Sequence, residues 1–480
     1  MMMNILWPVL DLHKANNQFL GIMTIAGLLD QYGHHSEVVD ADDEAVAERL
    51  QKGDFKIVAF STMSLYCQSY LRLNAKLKER FPVVSVFGGP HPTYFPEMIH
   101  KDGVDGVCIG EGETAMLDLV QGLASGEMRT DIPNWWIKKD GQVFKNAVRP
   151  LIADLDQLPL ANHEIFRTAD PRGVWRASVM TSRGCPYSCT YCCNNAYKKV
   201  YAGLGKIVRR RSVDSVIREL KAIREHPCYK YVQIVDDLFT LSSKWLKEFA
   251  GKYREKIGLP FSCYGRVGHI TPEIIDDLKT AGCDRIIIGV ETGDEGIRRK
   301  VFERDMTDDE IVAASQMIKK SGIKLMTTNI LGIPGASLDA DLKTLRLNIR
   351  LKPDYAGVNL LQPYPGTEMY EYARSLDLLA GEVGEGERKE VMISSVIKFP
   401  SEMERRKAEN LEKFFSIVVA FPVLLPLVKR LIRRPQNRIY NLIHSIWTNY
   451  SIYFRIIPFR IGIFSIWKKI LGRRRRTISA

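Results

Sequence analysis

The sequence predicts an α/β protein: two successive wound sheets followed by a helical tail. Three observations carry that expectation. Short continuous apolar runs alternate with amphipathic helical stretches over the first 360 residues, the pattern of parallel strands covered on both faces. The alternation stops near residue 130, passes through a turn-rich stretch, and restarts near residue 177. From Lys413 onward the chain is apolar and cationic, with fourteen Lys or Arg and no Asp or Glu, so the formal charge of +12 belongs to the tail and the rest sums to −2.

In the first series, strands are expected over residues 4–10, 37–39, 55–61, 83–87 and 104–109, with helical patterns at 19–32, 42–52 and 68–80. Five such strands predict a doubly wound, flavodoxin-like domain over residues 1–130, whose ligands sit at the carboxyl ends of the strands. The start of the chain reaches Asp11 without a basic stretch and reads as a buried first strand rather than a signal peptide. Gly88-Gly89-Pro90-His91 follows the fourth strand, and Gly110-Glu111-Gly112-Glu113 follows the fifth and opens a helix. Glycines there let backbone approach a bulky ligand, although each motif alone also reads as an ordinary tight turn.

Residues 131–172 are expected to connect the domains. Trp135-Trp136-Ile137 and Gln142-Val143-Phe144 flank Asp140-Gly141, a hairpin signature, and a strap punctuated by Pro150 and Pro159 follows. The second series predicts strands at 177–181, 231–235, 261–264, 285–290, 324–330 and 357–361. Six such units suggest a partial (β/α)6 TIM-type barrel over residues 173–390, with its chemistry at the carboxyl strand ends. Residues 391–480 form the C-terminal helical region; the uncharged run 414–428 is shorter than the ~20 residues that span a bilayer.

Nine cysteines show no disulfide framework, because four crowd into positions 185–193 and the rest are scattered. That distribution reads as a reduced, intracellular protein with one thiolate site. Cys185, Cys189 and Cys192 form a Cys-x3-Cys-x2-Cys loop directly after the first barrel strand. Three thiolates ligate three irons of a [4Fe–4S] cluster and leave the fourth open. A structural zinc site wants four ligands and paired knuckles, and no second pair exists. Cys193 reads as a bystander.

The spacing, the Gly184-Cys185-Pro186 lead-in and Tyr191 before the last cysteine resemble the radical S-adenosylmethionine (SAM) superfamily. The resemblance implies that the open iron chelates SAM and that reduction cleaves it to a 5′-deoxyadenosyl radical. It further implies SAM contacts by Tyr191, by Asp236 and Asp237 (amino group), Arg266 (carboxylate), Glu291 (ribose) and backbone at Ile333 (adenine). An electron donor such as flavodoxin or ferredoxin is implied as partner.

An α/β domain ahead of such a barrel is similar to the cobalamin-binding radical SAM enzymes, a resemblance covering about residues 1–400. It implies a corrin held by Ser61, Thr62, Met63, Gly88, Gly89, His91, Gly110, Glu111, Gly112 and Glu113. Asp11-Leu12-His13 nearly matches a motif in which His replaces the lower cobalt ligand, so His13 is a candidate ligand, against a solvated loop histidine. Many relatives are methyltransferases, and the leading expectation is methylation of an unactivated carbon on a small-molecule or lipid substrate. A cyclase or rearrangement enzyme without methyl transfer is the alternative, and an RNA-modifying enzyme the second. The lack of a recognisable RNA-binding module counts against nucleic acid. The tail, rich in Trp, Tyr and Phe beside cations, predicts a cytoplasmic protein peripheral to the inner face of the membrane, its barrel mouth near a lipid-soluble substrate; a packed helical cap is the other reading.

Overall fold

The computed structural model describes residues 1–12, 18–170, 174–381 and 395–459. In the first domain β1 (Asn4–Val9), β2 (His35–Asp40), β3 (Phe55–Ser61), β4 (Val84–Gly88) and β5 (Gly106–Cys108) pair in parallel, in the order β2-β1-β3-β4-β5. Alternate side chains explain the unbroken apolar runs. On β1 and β3, Ile5, Trp7, Ile57 and Ala59 enter the core beneath helices Leu20–Gln31 and Glu113–Ala124. Leu6, Val58 and Phe60 enter the core beneath Asp43–Lys52 and Cys67–Lys78.

The expected hairpin exists as β6 (Trp135–Lys139) and β7 (Gln142–Lys145), with Asp140 and Gly141 both at positive φ. It does not stand in a linker. β6 pairs antiparallel with β5, making the sheet seven-stranded, and Trp135 is buried in the first core with its indole N–H on the Ala115 carbonyl at 2.8 Å.

The second sheet contains β8 (Arg176–Val179), and a short ribbon of β9 (Ser182–Arg183) and β10 (Arg209–Arg210) follows it. β11 (Tyr231–Ile234), β12 (Phe261–Gly265), β13 (Cys283–Glu291), β14 (Lys324–Leu331) and β15 (Tyr355–Leu360) continue it as six parallel strands in the order β8-β11-β12-β13-β14-β15. This is the expected partial barrel, packed against its outer helices through Val216, Leu220, Phe249, Leu278 and Ile318.

The tail departs from expectation in its placement. Helix Glu402–Ala420 packs Leu411, Phe414, Phe415 and Val418 onto Leu331, Leu345 and Ala356, so the segment just beyond Glu412 is barrel core. The chain then continues at the amino-terminal strand ends. Lys324, the first residue of β14, donates to the Ile456 carbonyl at 3.0 Å. Tyr355, the first of β15, meets Thr448 at 3.5 Å, and Trp175, just before β8, stacks edge-on with Phe459 at 5.2 Å. Residues 448–459 therefore lie opposite the barrel mouth, while residues 434–444 pack along helix Glu402–Ala420. No helix of the described residues is long and apolar enough to cross a membrane.

Candidate functional site

The cysteine loop leaves the carboxyl end of the first barrel strand through β9. Gly184 sits at φ +81°, where an added Cβ would lie 2.3 Å from the Ile207 carbonyl oxygen, so the turn into Cys185 requires glycine. The loop is tied internally by the Cys192 amide on the Cys189 carbonyl at 3.1 Å. The Lys198 ammonium donates to the Pro186 (3.1 Å) and Tyr187 (2.7 Å) carbonyls. Thr190 Oγ1 donates to the Val301 carbonyl at 2.6 Å. Cys185, Cys189 and Cys192 are all free thiols.

The sulfur of Cys189 faces two cations: Nη1 of Arg266 and Nη1 of Arg304 each stand 3.8 Å from Sγ. Such a pocket matches the negative charge of an iron–sulfur cluster. Cys193 begins the next helix, and its thiol hydrogen-bonds that of Cys192; with burial, this raises Cys192 and leaves Cys193 below the ordinary thiol range. Among the described residues no three His, Cys, Asp or Glu side chains converge on a single metal ion. A cubane needs no such convergence, since each thiolate binds a separate iron.

The residues expected at SAM separate into two groups. Arg266, Tyr191 and Glu291 gather beside the loop. The Arg266 guanidinium lies 3.8 Å over the Tyr187 ring, and the Tyr191 hydroxyl takes a hydrogen bond from Arg304 at 3.0 Å. Glu291 ends β13 at φ +64°, strained for a non-glycine residue, and burial raises its carboxyl despite Arg304 and a Tyr191 hydrogen bond. Ile333 is buried against Phe302, Leu361 and Met369, between Gly332 and Gly335, both at positive φ.

Asp236 is otherwise engaged. Its carboxylate is fully buried and accepts from the Thr181 amide (2.6 Å), Thr181 Oγ1 and Ser182 Oγ (2.6 Å). It anchors the strand end that launches the cysteine loop, so within the Asp-Asp pair only Asp237 reaches the cavity described next. Burial raises the Asp237 carboxyl, although Asn194 hydrogen-bonds it.

A cavity of about 430 Å³ lies between the two sheets. One wall is the carboxyl edge of the first sheet, including Ser61, Gly88, Gly89, Gly110 and Gly112; the other includes Gly184, Cys193, Asn194, Tyr197 and Asp237. At Gly88 an added Cβ would meet only Cys108, at 3.7 Å, whereas at Gly110 (φ +82°) it would collide with the Tyr201 hydroxyl at 1.8 Å. Trp7 lines the same space, and its buried indole N–H has no partner among the described residues.

Thr62, Met63 and His91 stand behind this wall. The Thr62 amide donates to the Gly88 carbonyl at 2.7 Å and its carbonyl accepts from the His91 amide at 2.9 Å. Met63 is exposed. His91 bonds Ser64 at 3.0 Å, and burial lowers its ring to about 4, so it is neutral. Glu111 and Glu113 line the cavity, but their carboxylates bind the barrel: Arg183 reaches Glu111 at 2.8 Å and Glu113 at 2.5 Å, and Arg209 reaches Glu111 at 2.9 Å. They act as an interdomain clamp. His13 lies outside the described residues.

Arg304, Arg183, Arg209, Tyr197 and Trp7 were not singled out from sequence. Only adjacency offered a signal: Arg183 directly precedes Gly184-Cys185, and Tyr197 lies one turn into the helix that follows Cys192.

A glycine-walled cavity between the two sheets, bordered by Gly184 and Cys193 on either side of the three-cysteine loop, fits a class in which a corrin and an iron–sulfur cluster lie close together. Family comparison agrees: residues 179–347 match the Radical SAM superfamily, and residues 14–120 match the B12 binding domain. The chain belongs to the cobalamin-binding radical SAM enzymes, whose defining cofactors are a [4Fe–4S] cluster, SAM and cobalamin. An uncharacterized methyltransferase of Pyrococcus horikoshii, PH0819, is 28% identical over 75% of this chain and 79% of its own. The anaerobic magnesium-protoporphyrin IX monomethyl ester cyclase of Cereibacter sphaeroides is 23% identical over 74% of this chain, which spans 59% of that protein. Among solved structures, the radical SAM methyltransferase TsrM of Kitasatospora setae, with cobalamin and a [4Fe–4S] cluster bound, superposes with a TM-score of 0.64 at 16% identity over 79% of both chains. The cobalamin-dependent SAM radical enzyme OxsB superposes at 0.70 and 15% identity over 99% of this chain and 75% of that one.

Proposed function

We propose that this protein transfers a methyl group to an unactivated carbon of a small-molecule substrate. The observation that carries the reading is a cavity that touches both the glycine edge of the B12-binding domain and the helix opened by Cys193. When bound, the cluster supplies the electron that cleaves SAM, and cobalamin supplies the methyl carrier.

The chain's own residues suit those guests. Cys185, Cys189 and Cys192 hold the cluster, and Arg266 and Arg304 balance its charge at Cys189. Glu291 and Tyr191 form the polar rim for the SAM ribose, and Asp237 its amino group. Gly88 leaves room for the corrin face, with the Trp7 N–H, unpartnered among the described residues, a donor for a corrin amide. The clamp from Arg183 to Glu111 and Glu113 holds the two walls at fixed separation.

Likeness to PH0819 supports methyl transfer, and likeness to the cyclase of C. sphaeroides favours a second reading, ring closure without methyl transfer. Methyl-labelled SAM separates them. The reconstituted enzyme, given a small-molecule extract from its source cells, should yield a product carrying the labelled methyl. A product heavier by no label, formed with 5′-deoxyadenosine, would overturn methylation in favour of cyclisation.

A further inference from the structure

The tail bears an exposed surface that neither cofactor site uses. Along helix Arg438–Tyr450, Ile439, Leu442, Ile446 and Tyr450 recur at three- and four-residue intervals; Ile439 is 64% and Ile446 60% exposed. A ladder of rings extends this stripe: Phe421 to Trp447 at 5.5 Å, Trp447 to Tyr450 at 5.7 Å, and Tyr450 to Phe454 at 5.7 Å. Folding normally hides such a run, and contiguous apolar surface rimmed by polar groups marks an interaction site.

The rim is cationic. Lys429, Arg430, Arg433, Arg434 and Arg438 are exposed, and none makes an ion pair among the described residues. Beyond Glu412 the sequence contains no carboxylate side chain, and it holds further cations through Arg476. An apolar stripe on a segment whose acidic and basic side chains are all cationic is complementary to a layer that is anionic at its surface and hydrocarbon just beneath. Nucleic acid would answer the cations but leave Ile439, Leu442 and Ile446 in water.

We propose that this surface docks the protein on an anionic phospholipid bilayer, at the end of the barrel opposite the cysteine loop. Lys324, Tyr355 and Trp175 place the far end of the surface, residues 448–459, at the amino-terminal strand ends, whereas the loop follows the carboxyl end of β8. Docking thus leaves the cavity turned to the aqueous side, and the substrate arrives from water rather than from the acyl layer. The orientation rests on the cysteine loop marking the active end; the docking does not.

The test uses full-length protein and vesicles of phosphatidylcholine with or without phosphatidylglycerol. The protein should sediment with the anionic vesicles at low salt, weaken as salt rises and ignore pure phosphatidylcholine. The triple variant I439S/L442S/I446S and the variant R430Q/R433Q/R434Q/R438Q should each lose roughly tenfold or more in binding while keeping the wild-type melting curve. On vesicles, amide exchange should slow over residues 421–454 and not over 185–200. Failure to bind anionic vesicles, wild-type binding by both variants, or binding to an RNA oligonucleotide in place of vesicles would overturn docking. Protection of 185–200 would overturn the orientation alone.

Discussion

Replacing Arg183 by Met removes one of the two arginines that tie the barrel to the first domain. In the wild type its guanidinium spans Glu111 at 2.8 Å and Glu113 at 2.5 Å; Arg209 remains on Glu111. The orphan in the variant is therefore Glu113, which is buried and already has an unpaired Oε2. Burial raises that carboxyl, and Arg183 more than offsets it, leaving Glu113 below the ordinary range. Removing one partner of a buried pair costs about 3–5 kcal/mol, and we take about 3 because Arg209 stays close. A lowered folded-state value means the wild type gains stability above the ordinary carboxylate range and loses it as pH falls through the folded value. In R183M burial is opposed only by Arg209 and the Glu113 amide, so the carboxyl rises and the deficit should shrink as pH falls from 7.5 toward 5. Urea unfolding followed by far-UV circular dichroism at both pH values measures it, and E113Q completes the double-mutant cycle. A deficit below about 0.5 kcal/mol at pH 7.5, or one that widens on acidification, would refute the clamp.

Three further outcomes are expected. The triple variant C185A/C189A/C192A should lose the iron content and charge-transfer absorption of the reconstituted protein, while C193A keeps both, as elemental analysis will show. G110A should drive a methyl into the Tyr201 hydroxyl, 1.8 Å away, at a residue held at φ +82°; loss of corrin uptake by at least about tenfold, read from the visible spectrum, is the check. Asp341, buried and accepting from the Gly332 amide at 3.2 Å, is raised to about 7 by desolvation. Its folded value lies above its unfolded one, so it contributes stability at low pH that is lost as pH rises through about 7. D341N keeps the acceptor and should exceed wild type by a few kcal/mol at pH 8, with the gap closing near pH 4 in thermal melts.

The architecture was legible because each strand carries its own signature. Unbroken runs such as Ile5–Val9 and Phe55–Ser61 feed two cores by simple alternation, and a three-cysteine loop announces its chemistry through spacing alone. Partnership across the chain was not legible. Asp236 and Asp237 are equivalent in sequence, yet one faces Thr181 and Ser182 and the other the cavity, because successive residues leaving a strand point oppositely. Glu111 and Glu113 are separated from Arg183 by about seventy residues, and Arg304 from Cys189 by 115, so no local pattern links them. The placement of the tail followed the same rule: its composition was plain, but which end of the barrel receives it depends on the direction of helix Glu402–Ala420.

The hairpin on β5 bears on how the first domain can be handled alone. β5 is only three residues long, and β6 occupies its outer hydrogen-bonding edge. The outermost strand is then β7, mostly exposed and ending in Lys145, whose ammonium sits 4.0 Å over the Trp136 ring. A lysine-bearing rim of this kind resists strand addition by a second molecule. A fragment ending at residue 130 would bare β5 and remove Trp135 from beneath helix Glu113–Ala124, so it should self-associate, whereas one carried through Arg149, which pairs with Asp118 at 2.8 Å, should stay monomeric in light scattering.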